Sequence, residues 1–318
     1  MSYSAPRWLY GGHAQTIWPA LIIKLPRPDY QRELWPTPDG ARIALDFIAG
    51  QPGQPLVVLF HGLEGSSDSH YARALMREVA RRGWHGVVPH FRGCGGVDNP
   101  LARAYHAGDA AEVRWILARL ATRFPTLLVA GVSLGGSMLL NYMAQDGANA
   151  LPLAAAAISA PLDLVAASTR LDRGMGRWIY TRMFMNTLKP KALAQLKRHP
   201  GLFDARMVRR AATFGAFDQL VTAPLHGYAS VEDYWTRASS KPHLRQIAKP
   251  TLILNAQNDP FLPPRALPRA DQVSPQVELD FPPHGGHVGF VSGRFPGQLD
   301  WLPQRLMRFF SQHLPPTL

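Results

Sequence analysis

The sequence predicts an α/β fold, a mostly parallel sheet with helices on both faces and a helical insertion ahead of the last two strands. Three observations predict it. Continuous apolar runs of strand length alternate with amphipathic runs of helix length, the rhythm of a parallel sheet whose strands are buried on both faces. The rhythm stops after Pro161 and resumes at Pro250, and the segment between carries helical patches and no convincing strand. The chain has 318 residues, 46% of them apolar, enough for one large α/β domain or two smaller ones. One domain is expected, with a core of about 1–161 and 250–318 and a helical lid of about 162–249.

The elements follow in order. The N-terminal stretch MSYSAPRWLYGGHAQTIWPALIIKLPRP has no clean apolar segment followed by a small-residue cleavage site, so it does not read as a secretion signal. Its most apolar part, Ile17 to Leu25, contains Pro19 and Lys24 and is too short to span a bilayer. ELWPTPDGARIALDFIAG reads as two strands joined at the turn Pro38-Asp39-Gly40. PLVVLF is a buried strand. SHYARALMREVARRG follows as a helix with Ala72, Leu75, Met76 and Val79 on one face, ended by Gly83. HGVVPH is a strand, and GDAAEVRWILARLATRF is a helix with Val113, Ile116, Leu117 and Leu120 facing inward. TLLVAGV, GGSMLLNYMAQDG and LAAAAIS continue the alternation as strand, helix and strand. After the insertion, PTLILNAQND and QVELDF are strands and LDWLPQRLMRFFSQH is a closing helix. An insertion at that point is placed to form a lid over the C-terminal edge of the sheet, where ligands of open α/β sheets bind.

Composition excludes several classes of function. There are 34 Lys and Arg against 22 Asp and Glu, a net charge of +12. Such an excess suits nucleic acid, a membrane surface or an anionic substrate. However, the arginines are scattered, no block of five or six like charges occurs, and no zinc-finger or RNA-recognition spacing is present. No nucleic-acid partner is expected. Cys94 is the only cysteine, so an intrachain disulfide and a Cys-based metal site are excluded. No His-Glu-x-x-His run or tight His/Asp/Glu cluster suggests a metal. The expectation is a cytoplasmic protein without an integral membrane segment, with peripheral lipid contact left open and no oligomeric state assigned.

The chemistry centres on Gly131-Val132-Ser133-Leu134-Gly135, between a buried strand and a helix. That strand–turn–helix context is the one in which Gly-x-Ser-x-Gly forms the nucleophile turn of the α/β-hydrolase fold. The serine needs a strained backbone, so its neighbours two residues away must lack side chains. The alternative is an ordinary helix cap, a position serine favours. A serine nucleophile needs a base and a group to orient that base. In this fold the chain order is Ser, acid, His. His287 and His284, in PPHGGHVGF, both satisfy it. His287 is preferred, because Gly285-Gly286 give a flexible loop able to bring its ring over Ser133; His284 reads as a structural hydrogen-bonding histidine. The acid is Asp259, at the end of LNAQND and fixed by Pro260, although Asn-Asp-Pro also suits a simple turn. Asp163 is a weaker candidate. Oxyanion donors are the backbone N–H groups of Leu134, after the nucleophile, and of Leu63, in the loop HGLEGSS after the first buried strand. His61 and Gly62 would hold that loop in shape, with His61 a positioning residue rather than a base. Five insertion residues, Trp178, Tyr180, Met183, Phe184 and Met185, either line an apolar acyl pocket or pack the lid on the core.

HGLEGSSDSHYA, HFRGCGG, GVSLGG, LNAQNDP, HGGHVGF and the N-terminal WLYGGHAQTIWP resemble the bacterial YheT-like esterases. These form one branch of the α/β-hydrolases with the animal α/β-hydrolase-domain proteins of types one to three and the yeast medium-chain ethyl-ester synthase/esterases. The resemblance covers nearly the whole chain, most loosely the insertion. It implies Ser133 as nucleophile, Asp259 as acid, His287 as base, carboxylic-ester hydrolysis (EC 3.1.1.-) and no cofactor. The family usually has Asn where His90 stands and Ser where Gly96 stands, departures that bear on pocket shape. Its animal members carry an N-terminal membrane anchor, which is not expected for this chain, so their membrane-lipid activity is not carried over.

The expected reaction is hydrolysis of a small-molecule carboxylic ester, with a short- or medium-chain acyl group, through an acyl-Ser133 intermediate. Two other readings share the sequence: an alcohol acyltransferase using the same acyl-enzyme, and a non-catalytic α/β-hydrolase fold used for binding. An intact triad opposes the second.

Overall fold

The computed structural model of the chain describes residues 2–315. Helix α1 (Gly12–Leu21) precedes a hairpin of β1 (Gln31–Pro36) and β2 (Arg42–Ile48). The alternation then runs β3 (Leu56–Phe60), α2 (His70–Arg81), β4 (His85–Pro89), α3 (Ala110–Ala121), β5 (Leu127–Val132), α4 (Leu134–Asp146) and β6 (Ala154–Ile158). After α5 (Leu164–Leu171) and further helices come β7 (Thr251–Leu254), β8 (Val277–Asp280) and a last helix, Trp301–His313. The eight strands form one sheet in the order β1-β2-β4-β3-β5-β6-β7-β8. The β1–β2 and β2–β4 pairs are antiparallel, and the other five are parallel.

The apolar runs become the central strands because helices cover both faces. Every residue of β3, β5, β6 and β7 is buried. Alternate residues enter opposite layers, as strand periodicity requires. Leu56, Val58 and Phe60 meet Val113, Ile116, Leu117 and Leu140 of α3 and α4. Val57 and Leu59 meet Leu75, Met76 and Val79 of α2 and Met307 and Phe310 of the last helix. In the β1–β2 hairpin the Gly40 N–H donates to Thr37 O at 3.0 Å, closing the turn read from Pro38-Asp39-Gly40.

Parallel register brings the C-terminal ends of the central strands level. Phe60 pairs with Gly131, Val132 with Ile158, and Ile158 with Leu254. The ladder runs one residue further, with Ser133 N–H donating to Ile158 O and Ser159 N–H to Leu254 O, both at 2.8 Å. The loops after β3, β5, β7 and β8 therefore leave one edge together.

Between β6 and β7 no strand forms among the described residues. After α5, a helix runs from Gly174 through a π-helical turn, Arg177–Thr181, into Arg182–Arg198. Shorter helices, among them Ala205–Arg210 and Val231–Ala238, complete the insertion. It has its own apolar cluster, in which Leu171, Tyr180, Met185, Val208, Phe214 and Phe217 pack with Phe261 of the main body.

No helix among the described residues is long and apolar enough to cross a membrane. Helix α1 was not foreseen. Its buried residues are Gln15, Thr16 and Pro19, so its inward face is largely polar and no apolar periodicity marks it.

Candidate active site

Ser133 stands at the junction of β5 and α4 with φ 52° and ψ −121°. A non-glycine residue in that region costs about 1–3 kcal/mol and persists only where its surroundings impose it. The glycines impose it by close approach. A Cβ on Gly131 would lie 2.5 Å from Gly135 O. One on Gly135 would lie 2.4 Å from His61 O and 2.5 Å from Phe60 O. Ser133 occupies the N-cap position of α4, yet its side chain makes no capping bond. Its Oγ instead lies 3.1 Å from Nε2 of His287.

His287 follows β8. Its Nδ1 is 2.9 Å from Oδ2 of Asp259, whose side chain is fully buried. The other carboxylate oxygen, Oδ1, accepts the Phe261 N–H at 2.8 Å. Asp259 thus closes a turn and faces the imidazole at once, so the two readings of Asn-Asp-Pro are compatible. The Phe261 ring stacks on His287, with centroids 3.8 Å apart and planes at 14°. Asp163, the weaker acid candidate, caps α5 by accepting the Ala166 N–H. His284 is exposed, and its Nδ1 lies 3.4 Å from Asn258 Nδ2.

The Gly285-Gly286 pair was expected to give the His287 loop freedom. Its role in the structure is different, because the glycines allow the loop to press on its neighbours. A Cβ on Gly285 would lie 2.5 Å from the Phe290 ring, and one on Gly286 would lie 2.8 Å from Gly12 O and Thr16 N. Helix α1 then grips the loop by hydrogen bonds. Thr16 Oγ1 accepts the His287 N–H at 2.8 Å, and Gln15 Oε1 accepts the Gly285 N–H at 2.9 Å. Asn258 Nδ2 also donates to Gln15 Oε1 at 2.9 Å, and Asn258 Oδ1 accepts the Gly286 N–H at 3.0 Å. No apolar pattern in the sequence marks these residues; the doublet Gly11-Gly12 at the start of α1 was the one local hint of close packing.

The loop after β3 approaches Ser133 from the other side. A Cβ on Gly62 would lie 3.2 Å from Ser133 Cβ. The Gly62 N–H donates to Tyr71 Oη at 2.9 Å and the Glu64 N–H to Tyr105 Oη at 2.8 Å. Between them the Leu63 N–H has no acceptor among the described residues, and neither has the Leu134 N–H at the start of α4. Both residues line the same cavity as Ser133 and His287. His61 is wholly buried. Its Nε2 accepts the Phe91 N–H at 3.1 Å, which leaves Nδ1 as the protonated nitrogen, 2.7 Å from Gly62 O. Burial pushes its pKa down to about 3, so it stays neutral and fixes the loop. Glu64, at φ 56°, accepts from Tyr105 Oη and from Lys191 Nζ of the insertion, each at 2.8 Å. That ion pair ties the insertion to the loop.

The cavity has a volume of about 270 Å³. The main body supplies Leu63, Ser133, Leu134, Phe261 and His287 to its wall, and the insertion supplies Leu171, Phe184, Leu188, Phe214, Phe217 and Val221. Of the five insertion residues considered for an acyl pocket, only Phe184 lines it. Tyr180 and Met185 are buried in the insertion's own core. Trp178 and Met183 point outward, 72% and 53% exposed. No group of three or more His, Cys, Asp or Glu able to hold a metal ion occurs among the described residues.

The family model described as alpha/beta hydrolase fold matches residues 55–293. Among curated proteins, the chain is similar to "Putative esterase YheT" of Escherichia coli (strain K12), with 41% identity over 95% of this chain and 91% of that one. It is also similar to phospholipase ABHD3 of Homo sapiens, with 28% identity over 97% of this chain and 78% of that one. Among solved structures it resembles the esterase Pf2001 of Pyrococcus furiosus, with TM-score 0.56 and 15% identity over 89% of this chain and 92% of that one. A second is alpha/beta hydrolase domain-containing protein 10 from mouse, with TM-score 0.57 and 15% identity over 89% and 99%. At that identity the two structures support the fold alone.

Proposed function

The chain belongs to the alpha/beta hydrolase fold family, as a YheT-like member, and from that premise we propose that it is a serine hydrolase of carboxylic esters with Ser133, His287 and Asp259 as its triad. The observation that carries the reading is the relay itself. A strained Ser133 has its Oγ 3.1 Å from His287 Nε2, and His287 Nδ1 is 2.9 Å from a buried carboxylate.

Each group then has a task. Ser133 Oγ attacks the ester carbonyl carbon as His287 Nε2 takes its proton. The carbonyl oxygen becomes an oxyanion, which the Leu63 and Leu134 N–H groups receive; neither has an acceptor among the described residues. The N-terminal end of α4, beneath Ser133, favours the same negative charge. Collapse of the intermediate breaks the bond to the alcohol, which leaves with the proton from His287. A water then gives a proton to His287 Nε2 and attacks the acyl carbon; as the second intermediate collapses, the bond to Ser133 Oγ breaks, Oγ takes that proton back from His287, and the acid departs. Asp259 holds the imidazole in the Nδ1–H form and stabilises its charge.

Residues 162–249 act as the lid in this reading, and the apolar cavity they share with the core suits a short- or medium-chain acyl group. A fluorophosphonate probe tests the assignment. Wild type should be labelled covalently and Ser133→Ala should not. Labelling that persists in Ser133→Ala, or that is missing from folded wild type, refutes it.

Helix α1 gives a subtler expectation. Thr16→Val keeps the side-chain shape but removes the acceptor of the His287 N–H. Leaving a buried donor unpaired costs about 1–3 kcal/mol, and the loop relaxes to avoid it. Because the imidazole shifts and the cavity does not, kcat should fall about ten-fold while KM stays within about two-fold. Steady-state kinetics on a nitrophenyl ester separate the two parameters. A loss confined to KM would remove Thr16 from the positioning role.

A further inference from the structure

The insertion has two sides, and the reaction uses only one. Its inner side lines the cavity through Leu171, Phe184 and Leu188. Its outer side, from Arg170 to Met183, is unusual in two ways. Met175, Trp178 and Met183 are 57%, 72% and 53% exposed, although nothing in the fold requires large apolar side chains in water there. Arg170 and Arg173 just before them and Arg177 and Arg182 among them are exposed, and none of the four forms an ion pair among the described residues. The one acid in the stretch, Asp172, feels the charge of Arg177 but makes no ion pair with any of the four. Its carboxylate accepts the Phe214 N–H at 2.7 Å and the Gly215 N–H at 2.9 Å. The excess continues along the chain. Between Arg170 and Arg210 the sequence has eleven Lys and Arg (Arg170, Arg173, Arg177, Arg182, Lys189, Lys191, Lys197, Arg198, Arg206, Arg209, Arg210) and two Asp (Asp172, Asp204), a surplus of nine within a net charge of +12 for the whole chain.

We propose that the outer face of the insertion, from Arg170 to Met183, docks on an anionic phospholipid bilayer, with Trp178, Met175 and Met183 entering the headgroup layer and the four arginines meeting lipid phosphates. The chemistry matches on both counts. Tryptophan has an apolar ring and a polar N–H, and concentrates at membrane–water interfaces. A helix with apolar side chains beside free cations lies in that interface and binds more strongly as anionic lipid increases. Gly174 to Met183 is ten residues of continuous helix, about 15 Å at 1.5 Å each, with Arg173 at its N-cap and Arg170 in the last turn of α5, so these groups lie close together. A nucleic acid would use the arginines but leave both methionines in water. Docking in this pose places the helical layer between bilayer and cavity, with the cavity wall one helix thickness from the lipid.

Co-sedimentation of the full chain with vesicles of diether phosphatidylglycerol and phosphatidylcholine tests this, since ether lipids present no ester to cleave. Binding should be at least ten-fold weaker to phosphatidylcholine alone, and should fall at least ten-fold when salt is raised from about 0.05 to about 0.5 M. The triple variant Met175→Ser, Trp178→Ser, Met183→Ser should bind at least ten-fold more weakly with its thermal unfolding unchanged, because all three side chains are exposed. A second variant, Arg173→Ser, Arg177→Ser, Arg182→Ser, should lose the preference for phosphatidylglycerol. The proposal fails if wild type does not sediment with phosphatidylglycerol vesicles at low salt, if either variant binds like wild type, or if a short DNA duplex binds more tightly than the vesicles.

Discussion

His287→Ala is expected to lower kcat toward a nitrophenyl ester by about 10⁵- to 10⁶-fold, the scale of removing one member of a serine triad. A factor of 10⁵ is about 7 kcal/mol of lost transition-state stabilisation. The reason is a proton without a destination. Among the described residues, Ser133 Oγ has one basic nitrogen within hydrogen-bond reach, Nε2 of His287 at 3.1 Å. His61 is wholly buried in the loop after β3, with both ring nitrogens engaged. His284 is exposed and turned toward Asn258. Substrate binding depends on the cavity, so KM should change only a few-fold. The Leu63 and Leu134 donors remain and leave about 10³- to 10⁴-fold acceleration over water. His284→Ala is the control and should retain wild-type kcat within about two-fold, since its ring makes no contact with the relay. Steady-state kinetics on the three proteins settle the base. Retention of more than about one per cent of kcat in His287→Ala would exclude it from that role.

Ser133, Asp259 and His287, which the structure brings within hydrogen-bond reach of one another, could be picked out in the sequence because they follow strand ends in a fixed order, and the strands announce themselves. A strand buried on both faces must be apolar at every position, as in Leu56–Phe60 and Leu127–Val132. What the sequence concealed lay where burial is polar or helical periodicity fails. Helix α1 turns Gln15 and Thr16 inward, because the His287 loop presents N–H groups that need acceptors. A polar inner face has no apolar period to detect. The insertion failed for another reason. Its helix is apolar on more than one side, and the π-helical turn Arg177–Thr181 shifts the register by nearly a residue. Spacing alone could not separate Phe184, in the cavity wall, from Trp178 and Met183, in solvent. Gly285 and Gly286 show the same limit. The sequence reveals a need for glycine but not whether that need is motion or close contact, and here it is contact with Phe290, Gly12 and Thr16.

Asp259→Asn should lower kcat by about 10⁴-fold while leaving the fold and KM nearly unchanged, for a reason that lies in which oxygen does what. Oδ1 of Asp259 accepts the Phe261 N–H, and Oδ2 faces His287 Nδ1. An asparagine must keep its carbonyl oxygen toward Phe261, since an NH₂ group there would meet another donor. Its NH₂ then points at Nδ1. Nδ1 must become an acceptor, the ring proton moves to Nε2, and a filled N–H faces Ser133 Oγ where a lone pair is required. The imidazole keeps its place, stacked on Phe261 at 3.8 Å, but holds the wrong tautomer. Labelling by a fluorophosphonate should slow in parallel with kcat, because both reactions need the same proton transfer from Ser133. Thermal unfolding should be little affected, as the Phe261 hydrogen bond survives. The tautomer is open to direct measurement, with ¹⁵N shifts of His287 reporting Nδ1–H in wild type and Nε2–H in the variant. An Asp259→Asn protein with more than about a tenth of wild-type kcat would show that Asp259 does not orient the imidazole, and the acid would have to be sought elsewhere.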